Sequence, residues 1–276
     1  MTTWVLLRGL TREARHWGDF PLVLQTRLGL DTPPAAIDLP GFGARCDEPS
    51  PASVAAIQAS CREEAQRRRL RPPYAIVGLS LGAMVAAQWA CTHPDEVERV
   101  AFVNTSFGRF SPWSARLRPS RYAALIGALA ARSPASAEAS ILDLTTARRP
   151  FPEGLAQTWA EWRTQSPFAR RNALRQLWAA ARFRGPAQSP PMPVLVLASE
   201  NDRLVDPKGS RRIAAAWNAS FALHPRAGHD LPLDDGEWVA RRIADWRDGA
   251  LSDPGSACDS APADRRSASS GADPRC

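Results

Sequence analysis

Short, uninterrupted apolar runs alternate with helical stretches along most of this chain, and this alternation constrains the fold more than any other feature. Strands that are apolar on both sides must be covered on both faces, as in a parallel sheet between two layers of helices. The sequence therefore predicts an α/β fold with a mostly parallel sheet and helices on both faces. The predicted strands are residues 4–7, 35–39, 74–77, 99–104, 194–198 and 220–224.

Two stretches depart from the alternation. Residues 109–190 contain helical segments but no convincing strand, so they predict a helical cap inserted between two strands. Within it, Ser166 followed by proline is a typical helix start. Residues 251–276 are rich in Ser, Ala, Asp and Pro without apolar periodicity, which predicts a disordered tail. Residues 1–108 and 191–250 would then form the core domain.

Helices in the core are predicted from periodicity and from their end signals. Residues 51–70 are predicted to be helical, with Ser53 as a candidate N-cap, and residues 83–93 form a helix after the segment 78–82 that follows the third strand. Residues 237–248 form a closing amphipathic helix. With 276 residues, the chain is long enough for one such α/β domain and its insertion.

The positive charge of the chain comes almost entirely from arginine. The formal net charge is +7, and Lys208 is the only lysine. The arginines are scattered along helical stretches, and the tight run within 67–71 lies at a predicted helix end, where it complements the helix dipole. Because no nucleic-acid-binding motif accompanies them, we expect solvated helix faces and no nucleic-acid partner.

Cysteine usage and hydropathy favour a cytoplasmic protein. The five cysteines form no Cys-x-x-Cys pair, and no basic segment precedes the first apolar run, which predicts free thiols and no secretory signal. No apolar stretch approaches the length of a membrane-spanning helix. Neither a zinc-type Cys/His spacing nor a glycine-rich phosphate loop occurs, so no metal or organic cofactor is expected.

The segment Gly-Leu-Ser-Leu-Gly at 78–82 carries the strongest chemical signal. It matches Gly-x-Ser-x-Gly, and an apolar strand precedes it while a helix follows it. This strand–turn–helix context is what a nucleophile elbow requires, with Ser80 on a sharp, strained turn. Gly78 and Gly82 would be needed because side chains would collide across so tight a turn. Ser80 is the predicted nucleophile.

A serine nucleophile needs a base, and the base needs an orienting acid, in the chain order Ser, Asp or Glu, His. Asp202 follows the fifth strand and His229 follows the sixth, so both loops open onto the edge of the sheet where Ser80 lies. Asp202 and His229 are therefore the predicted acid and base. The alternatives are Glu200 and Asp206 for the acid, and His224, His93 and His16 for the base; His16 could equally pack beside Trp17.

Acyl transfer also needs donors for an oxyanion. The backbone N–H of Leu81 lies directly after the nucleophile at a helix N-terminus, and a second N–H is expected from the first loop, at Leu10. These are backbone groups, so their side chains carry little information.

Together these segments resemble the α/β-hydrolase superfamily, and most closely its small serine esterases of the pimeloyl-carrier-protein methyl ester esterase type. The matching segments are RGLTREARHW at 8–17, DLPGFG at 38–43, GLSLG at 78–82, SENDRLV at 199–205 and GHDLPLDD at 228–235. They occur in the family's order over residues 4–248. One departure is Arg8-Gly9, where many relatives have His-Gly.

The resemblance implies the α/β-hydrolase fold, the roles given above to Ser80, Asp202, His229, Leu10 and Leu81, and a lid from residues 109–190. It implies hydrolysis of a carboxylic ester through an acyl-enzyme on Ser80, on a small or acyl-chain substrate and without a cofactor. Thioesterase, lyase or perhydrolase chemistry with the same triad stays open, as does a non-catalytic binding protein with a retained pocket.

The predicted cap is rich in tryptophan and arginine, which allows two interpretations. The tryptophans could pack the cap onto the core while the arginines face water, or they could line an acyl pocket with a basic rim for an acidic acyl carrier protein. The residues concerned are Trp113, Trp159, Trp162, Trp178, Arg170, Arg171, Arg175, Arg182 and Arg184.

Overall fold

The computed structural model describes residues 2–148, 150 and 152–251. All six predicted strands form, as β1 Thr3–Leu7, β2 Ala35–Ile37, β3 Tyr74–Leu79, β4 Val97–Val103, β5 Val194–Ser199 and β6 Ser220–His224. They make one sheet in the order β2-β1-β3-β4-β5-β6, and every neighbouring pair is parallel. The predicted α/β fold with a parallel sheet is confirmed.

Helices connect the strands and surround the sheet. They are α1 Phe20–Leu28, α2 Val54–Arg67, α3 Leu81–Thr92, α4 Trp113–Arg116, α5 Tyr122–Ala130, α6 Pro134–Thr145, α7 Leu155–Gln165, α8 Arg170–Arg182, α9 Pro207–Trp217 and α10 Leu231–Arg247. The predicted cap Ser53 accepts a hydrogen bond from the Ala56 N–H at the start of α2, at 3.3 Å. None of the described helices is long and apolar enough to cross a membrane.

The alternation of side chains along the strands builds a separate core on each face of the sheet. Val5 and Leu7 of β1 point into a cluster that contains residues of α2, α3 and α9. Trp4 and Leu6 point into a second cluster with residues of α1 and α10. Because each strand contributes to both clusters, continuous apolar runs were needed, as the sequence indicated.

The helices α4 to α8 lie between β4 and β5, within the predicted cap at 109–190. Buried polar side chains attach this segment to the core. Gln176 of α8 accepts a hydrogen bond from the Thr11 N–H at 3.2 Å, and Asn172 accepts one from the Ser50 N–H at 3.1 Å. Treating 109–190 as a separate cap stays a prediction, and the predicted tail beyond residue 251 lies outside the described residues.

The helix start predicted at Ser166 does not occur there. Ser166 ends α7 as its C-cap, and α8 begins only at Arg170, so the predicted start at Ser166 is wrong. Core loops hold this connection instead: Arg15 donates to the Ser166 hydroxyl at 3.2 Å, and the Phe168 ring lies 4.6 Å from that of Phe42.

The closing helix begins earlier than predicted. α10 starts at Leu231, with a break at Asp235, where φ is −155° and ψ is 75°. Asp235 accepts a hydrogen bond from the Trp238 N–H at 2.9 Å and so restarts the helix. The predicted start at 237 corresponds to this second part of the helix.

The close approach of β1, β3 and α3 depends on two glycines. A Cβ on Gly78 would lie 2.5 Å from the Gly82 carbonyl oxygen, across the turn, as predicted. A Cβ on Gly82 would lie 2.1 Å from the carbonyl oxygen of Leu7, so this glycine serves the contact with β1 rather than the turn itself. The turn after β3 therefore rests directly on the end of the neighbouring strand.

We expect Gly82→Ala to destabilise the protein by about 3 kcal/mol, because the added methyl group meets backbone that cannot move away. Gly127→Ala is the matched control, since a Cβ on Gly127 of α5 meets nothing within 4 Å. That change should leave stability unchanged or raise it by up to about 1 kcal/mol. Urea unfolding followed by circular dichroism measures both. Equal stability of the two variants would contradict the assigned role of Gly82.

Candidate functional site

Ser80 occupies a single-residue turn between β3, which ends at Leu79, and α3, which begins at Leu81. Its φ of 57° and ψ of −114° lie where residues with a Cβ are disfavoured. The end of β4 holds this conformation: the Ser80 N–H donates to the Val103 carbonyl at 2.9 Å, and the Thr105 hydroxyl donates to the Ser80 carbonyl at 3.0 Å. The geometry is that of the strained turn expected of a nucleophile elbow.

Asp202 and His229 form a buried hydrogen-bonded pair. Nδ1 of His229 lies 2.7 Å from Oδ2 of Asp202, and the two residues are 6% and 3% exposed. The other oxygen of Asp202 accepts hydrogen bonds from the N–H groups of Leu204 at 2.8 Å and Val205 at 2.9 Å. Since an ionised carboxylate only accepts hydrogen bonds, Nδ1 carries the proton and Nε2 is the ring nitrogen that can take one up.

The surroundings of His229 raise its pKa above the usual value of 6.5. Burial by itself would lower this pKa, but the charge and hydrogen bond of Asp202 outweigh it, with a further contribution from Asp230 and an opposing one from Arg8. Protonated His229 cannot act as a base. Any reaction that uses it as one should therefore lose rate as the pH falls through this raised pKa.

Asn104, directly after β4, connects the parts of the site. Its side-chain N–H groups donate to the carbonyl oxygens of Gly228 at 3.1 Å and His229 at 2.8 Å, and to the Ser199 hydroxyl at 2.9 Å. Its oxygen accepts from the Ser199 N–H at 2.8 Å. The end of β4 thus contacts the Ser80 turn, the end of β5 that leads to Asp202, and the His229 loop. No hydrogen bond joins the Ser80 hydroxyl to the His229 ring in the part of the chain that the structure describes.

Asn104 is a residue to which the sequence analysis assigned no role. The available signal was an amide residue directly after a fully apolar strand, at the edge of the sheet where the other site residues lie.

The two predicted oxyanion donors belong to segments that adjoin Ser80. Leu81 is the first residue of α3, where backbone N–H groups have no partner within the helix. Leu10 follows Gly9, at which a Cβ would lie 3.1 Å from the Cβ of Ser80, so this loop passes directly beside the turn. Neither N–H donates to another of the described residues. Their role as oxyanion donors stays a prediction.

The alternative residues have other partners. Glu200 is exposed, and Asp206 accepts a hydrogen bond from the Lys208 N–H at 2.9 Å as the N-cap of α9. His224 lies 3.2 Å from Asp235, and its Nδ1 accepts from the N–H groups of Arg226 and Ala227. His93 ends α3, next to Thr92. Among the described residues, none of these four side chains forms a hydrogen bond with the side chain of His229 or Asp202.

His16 packs against α7 rather than beside Trp17. Its ring lies 4.7 Å from the ring of Trp159 and 5.4 Å from that of Trp162, both edge-on. Its Nδ1 accepts a hydrogen bond from the Glu13 N–H at 3.1 Å. Burial, together with the charges of nearby arginines, lowers its pKa well below 6.5, so the ring is neutral and contributes to packing of the insertion.

Two buried ion pairs were not anticipated from the sequence. Arg8 binds Asp230 with both terminal nitrogens, at 3.0 and 2.6 Å, and Arg12 binds Glu138 of α6 in the same way, at 2.7 and 3.2 Å. Arg163 of α7 also contacts Glu138, at 3.1 Å. The first pair connects the loop of Leu10 with the residue after His229. No local pattern could have revealed it, because its members lie 222 residues apart.

Comparison with known proteins identifies a family and two partly similar relatives. Residues 4–242 match the family described as "Alpha/beta hydrolase family". A biotin biosynthesis bifunctional protein BioHC from Teredinibacter turnerae is 33% identical over 107 residues, which are 37% of this chain and 17% of that protein. A pimeloyl-[acyl-carrier protein] methyl ester esterase from Chromobacterium violaceum is 38% identical over 79 residues, 28% of this chain and 29% of that protein. The matches thus span less than a third of either curated relative.

Solved structures share the fold over most of the chain. A thermophilic esterase from Thermogutta terrifontis superposes with a TM-score of 0.67 at 19% identity, covering 91% of both chains. A hydrolase from Pseudomonas aeruginosa superposes with a TM-score of 0.66 at 19% identity, covering 91% of this chain and 89% of the other. At this level of identity, the likeness concerns the fold.

We expect Asp202→Asn to lower the pKa of His229, because the substitution removes the charge that raises this pKa most while burial still lowers it. Titration of the imidazole resonances by NMR measures the change. Asp206→Asn is the matched control, because Asp206 only caps α9, and asparagine can do the same. The assignment of Asp202 as the partner of His229 would be wrong if the two variants titrated alike.

Proposed function

Because this chain belongs to the α/β-hydrolase family, we propose that it is a serine hydrolase that cleaves a carboxylic ester through an acyl-enzyme on Ser80. The observation that carries the proposal is the buried Asp202–His229 pair, attached through Asn104 to the same end of β4 that holds the strained Ser80 turn. A nucleophile turn, an oriented base and two unoccupied backbone donors are the parts that acyl transfer requires.

In the first half of the reaction, Nε2 of His229 removes the proton of the Ser80 hydroxyl as its oxygen attacks the ester carbonyl carbon. The charge that develops on the carbonyl oxygen is stabilised by the N–H groups of Leu10 and Leu81. Asp202 keeps the imidazole in the required tautomer and stabilises its protonated form. The C–O bond to the alcohol then breaks, and His229 donates its proton to the leaving oxygen.

In the second half, water attacks the acyl-enzyme. His229 removes a proton from the water, the same two N–H groups stabilise the second oxyanion, and His229 returns the proton to Ser80 as the acid product leaves. Every proton taken up by the ring is thus released within one cycle. No metal or organic cofactor enters these steps.

Activity toward p-nitrophenyl esters, from acetate to decanoate, tests this proposal. Ser80→Ala should lower kcat by about a thousandfold or more, because it removes the attacking oxygen. Ser106→Ala is the matched control: it lies near the same strand end, and its buried hydroxyl has no hydrogen-bond partner among the described residues. The control should keep wild-type kcat. The dependence of kcat/KM on acyl-chain length shows how long an acyl chain the site accepts.

A folded wild-type protein that hydrolyses none of these esters, no thioester and no methyl ester carried on acyl carrier protein would contradict the proposal and favour a binding role. Turnover that persists in Ser80→Ala would contradict the nucleophile. Turnover of thioesters alone would change the leaving group but keep the acyl-enzyme, whereas addition or elimination products would indicate lyase chemistry.

The outer face of α8 suggests how a larger substrate could be held. Leu174 and Trp178 of this helix are 59% and 56% exposed, and the guanidinium of Arg182 lies 5.3 Å from the Trp178 ring. α8 contains no acidic residue, and Arg170, Arg171, Arg175 and Arg182 are all exposed on it. This arginine and tryptophan surface is complementary to an acidic partner with an apolar contact point.

The name of the Chromobacterium violaceum relative describes an ester carried on acyl carrier protein. A carrier-linked ester is therefore the natural larger substrate to propose for this chain. The tryptophans of the insertion divide between the two interpretations. Trp159 is buried and packs the insertion, whereas Trp178 and Trp113 are exposed. The proposed basic rim therefore consists of the exposed residues of α8 and does not include every aromatic residue of the insertion.

The test substrate is an acyl group that carries a methyl ester and is attached to acyl carrier protein. With this substrate, Arg171→Glu combined with Arg175→Glu should lower kcat/KM about tenfold or more, since two attractive contacts become repulsive. Raising the salt concentration should lower the wild-type value in the same direction. Arg241→Glu, exposed on α10, is the control. Hydrolysis of p-nitrophenyl esters should be unaffected in all variants. A kcat/KM on the carrier-linked substrate that does not change with salt concentration would exclude the basic rim.

A further inference from the structure

Arg8 and Asp230 make a buried bidentate ion pair beside the site, and the proposed mechanism gives it no task. Nη1 of Arg8 lies 3.0 Å from Oδ1 of Asp230, and Nη2 lies 2.6 Å from Oδ2. Both side chains are 4% exposed or less. The Arg8 guanidinium also lies 4.9 Å from the ring centroid of Trp17. Two parallel hydrogen bonds and a ring contact leave the arginine little freedom to rotate.

The two residues of the pair belong to the two loops that contain Leu10 and His229. Arg8 follows β1 and stands two residues before Leu10, the proposed oxyanion donor, while Asp230 directly follows His229. In the sheet, β1 and β6 are separated by β3, β4 and β5, so no ladder hydrogen bond can link their ends. The ion pair spans this distance and connects the loop of Leu10 directly with the loop of His229.

Each loop also has an anchor of its own. The Thr11 N–H donates to Gln176 at 3.2 Å, and the Asp230 N–H donates to the Thr145 carbonyl at 2.7 Å. The His229 carbonyl is held by Asn104 at 2.8 Å. The loops would thus stay attached to the protein without the ion pair. What the pair adds is a fixed position of one loop relative to the other.

Net stability does not account for the pair. Burying two charges costs desolvation energy that their attraction only about balances, and an apolar pair of similar volume is often as stable or more so. The Nε of Arg8 adds to this cost, since it is buried without a hydrogen-bond partner among the described residues. A fixed bidentate geometry, by contrast, is something that an apolar pair does not supply.

We infer that Arg8 and Asp230 are a positioning pair for the proposed reaction: their ion pair sets the Leu10 N–H at the correct distance from the His229 ring and Ser80. The inference rests on the proposed function. Neither residue touches the reacting atoms in this role. Both act through the neighbouring backbone, and displacement of a donor or base by about 1 Å lowers rates by up to about a hundredfold.

The test compares Arg8→Met, Asp230→Leu and the double variant, with kcat and KM measured on p-nitrophenyl butyrate and thermal unfolding measured in parallel. Each single variant leaves one buried charge alone, so both Tm and kcat should fall. The double variant should regain most of the lost Tm, yet keep a kcat about 10 to 100 times below wild type with KM within about twofold.

The other buried bidentate pair supplies the control. Arg12→Met combined with Glu138→Leu removes a bidentate ion pair of similar geometry that joins the insertion to the core, and it also removes the contact of Glu138 with Arg163. It should leave kcat close to wild type, whatever its effect on Tm. A double variant at Arg8 and Asp230 whose kcat recovers together with its Tm would show a purely structural role and overturn the inference.

The two proposals fail in different ways. A wild-type protein without Ser80-dependent turnover would overturn the proposed function and, with it, this role of the pair. An active wild type whose folded Arg8 and Asp230 variants keep wild-type kcat would overturn the positioning role alone.

Discussion

The hydrogen bonds made at the end of β4 organise the whole site. The Val103 carbonyl accepts from the Ser80 N–H, Thr105 donates to the Ser80 carbonyl, and Asn104 holds Ser199 and the carbonyl of His229. β4 lies between β3 and β5, so short side chains at its end can reach the loops that follow both neighbouring strands. Because these groups are buried, each hydrogen bond also avoids the cost of an unpaired polar group.

The polar contacts around this centre extend into the helices between β4 and β5. Gln176 of α8 holds the loop that contains Leu10, and Thr145 at the end of α6 holds the loop that contains His229. The helical insertion therefore contributes to the geometry of the loops and does more than cover them. A change that breaks one of these two bonds should be felt at the site, even where no side chain of the insertion faces Ser80.

The sequence offers candidate site residues where the chemistry lies in a local pattern. Ser80 is a candidate because an apolar strand, the Gly-x-Ser-x-Gly segment and a helix follow one another without a gap. Asp202 and His229 are candidates because each follows a strand in a parallel sheet, whose carboxyl ends share one edge. Ser166 misled for the opposite reason: its helix-start pattern is real, but contacts of the connection with Arg15 and Phe42 from core loops override it.

What the sequence by itself determined is therefore the sheet, the order of its helices and the three side chains proposed to do chemistry, since periodicity and turn signals act over a few residues. Tertiary structure alone decided the partners of Arg8, Arg12, His16 and Asn104. The contacts of Arg8 with Asp230, of Arg12 with Glu138, of His16 with α7 and of Asn104 with Ser199 join residues from 95 to 222 positions apart, and His16 meets α7 only because the insertion folds back onto the first loop. Such pairings depend on how several elements pack at once, and a buried arginine or histidine has the same local sequence signature as an exposed one.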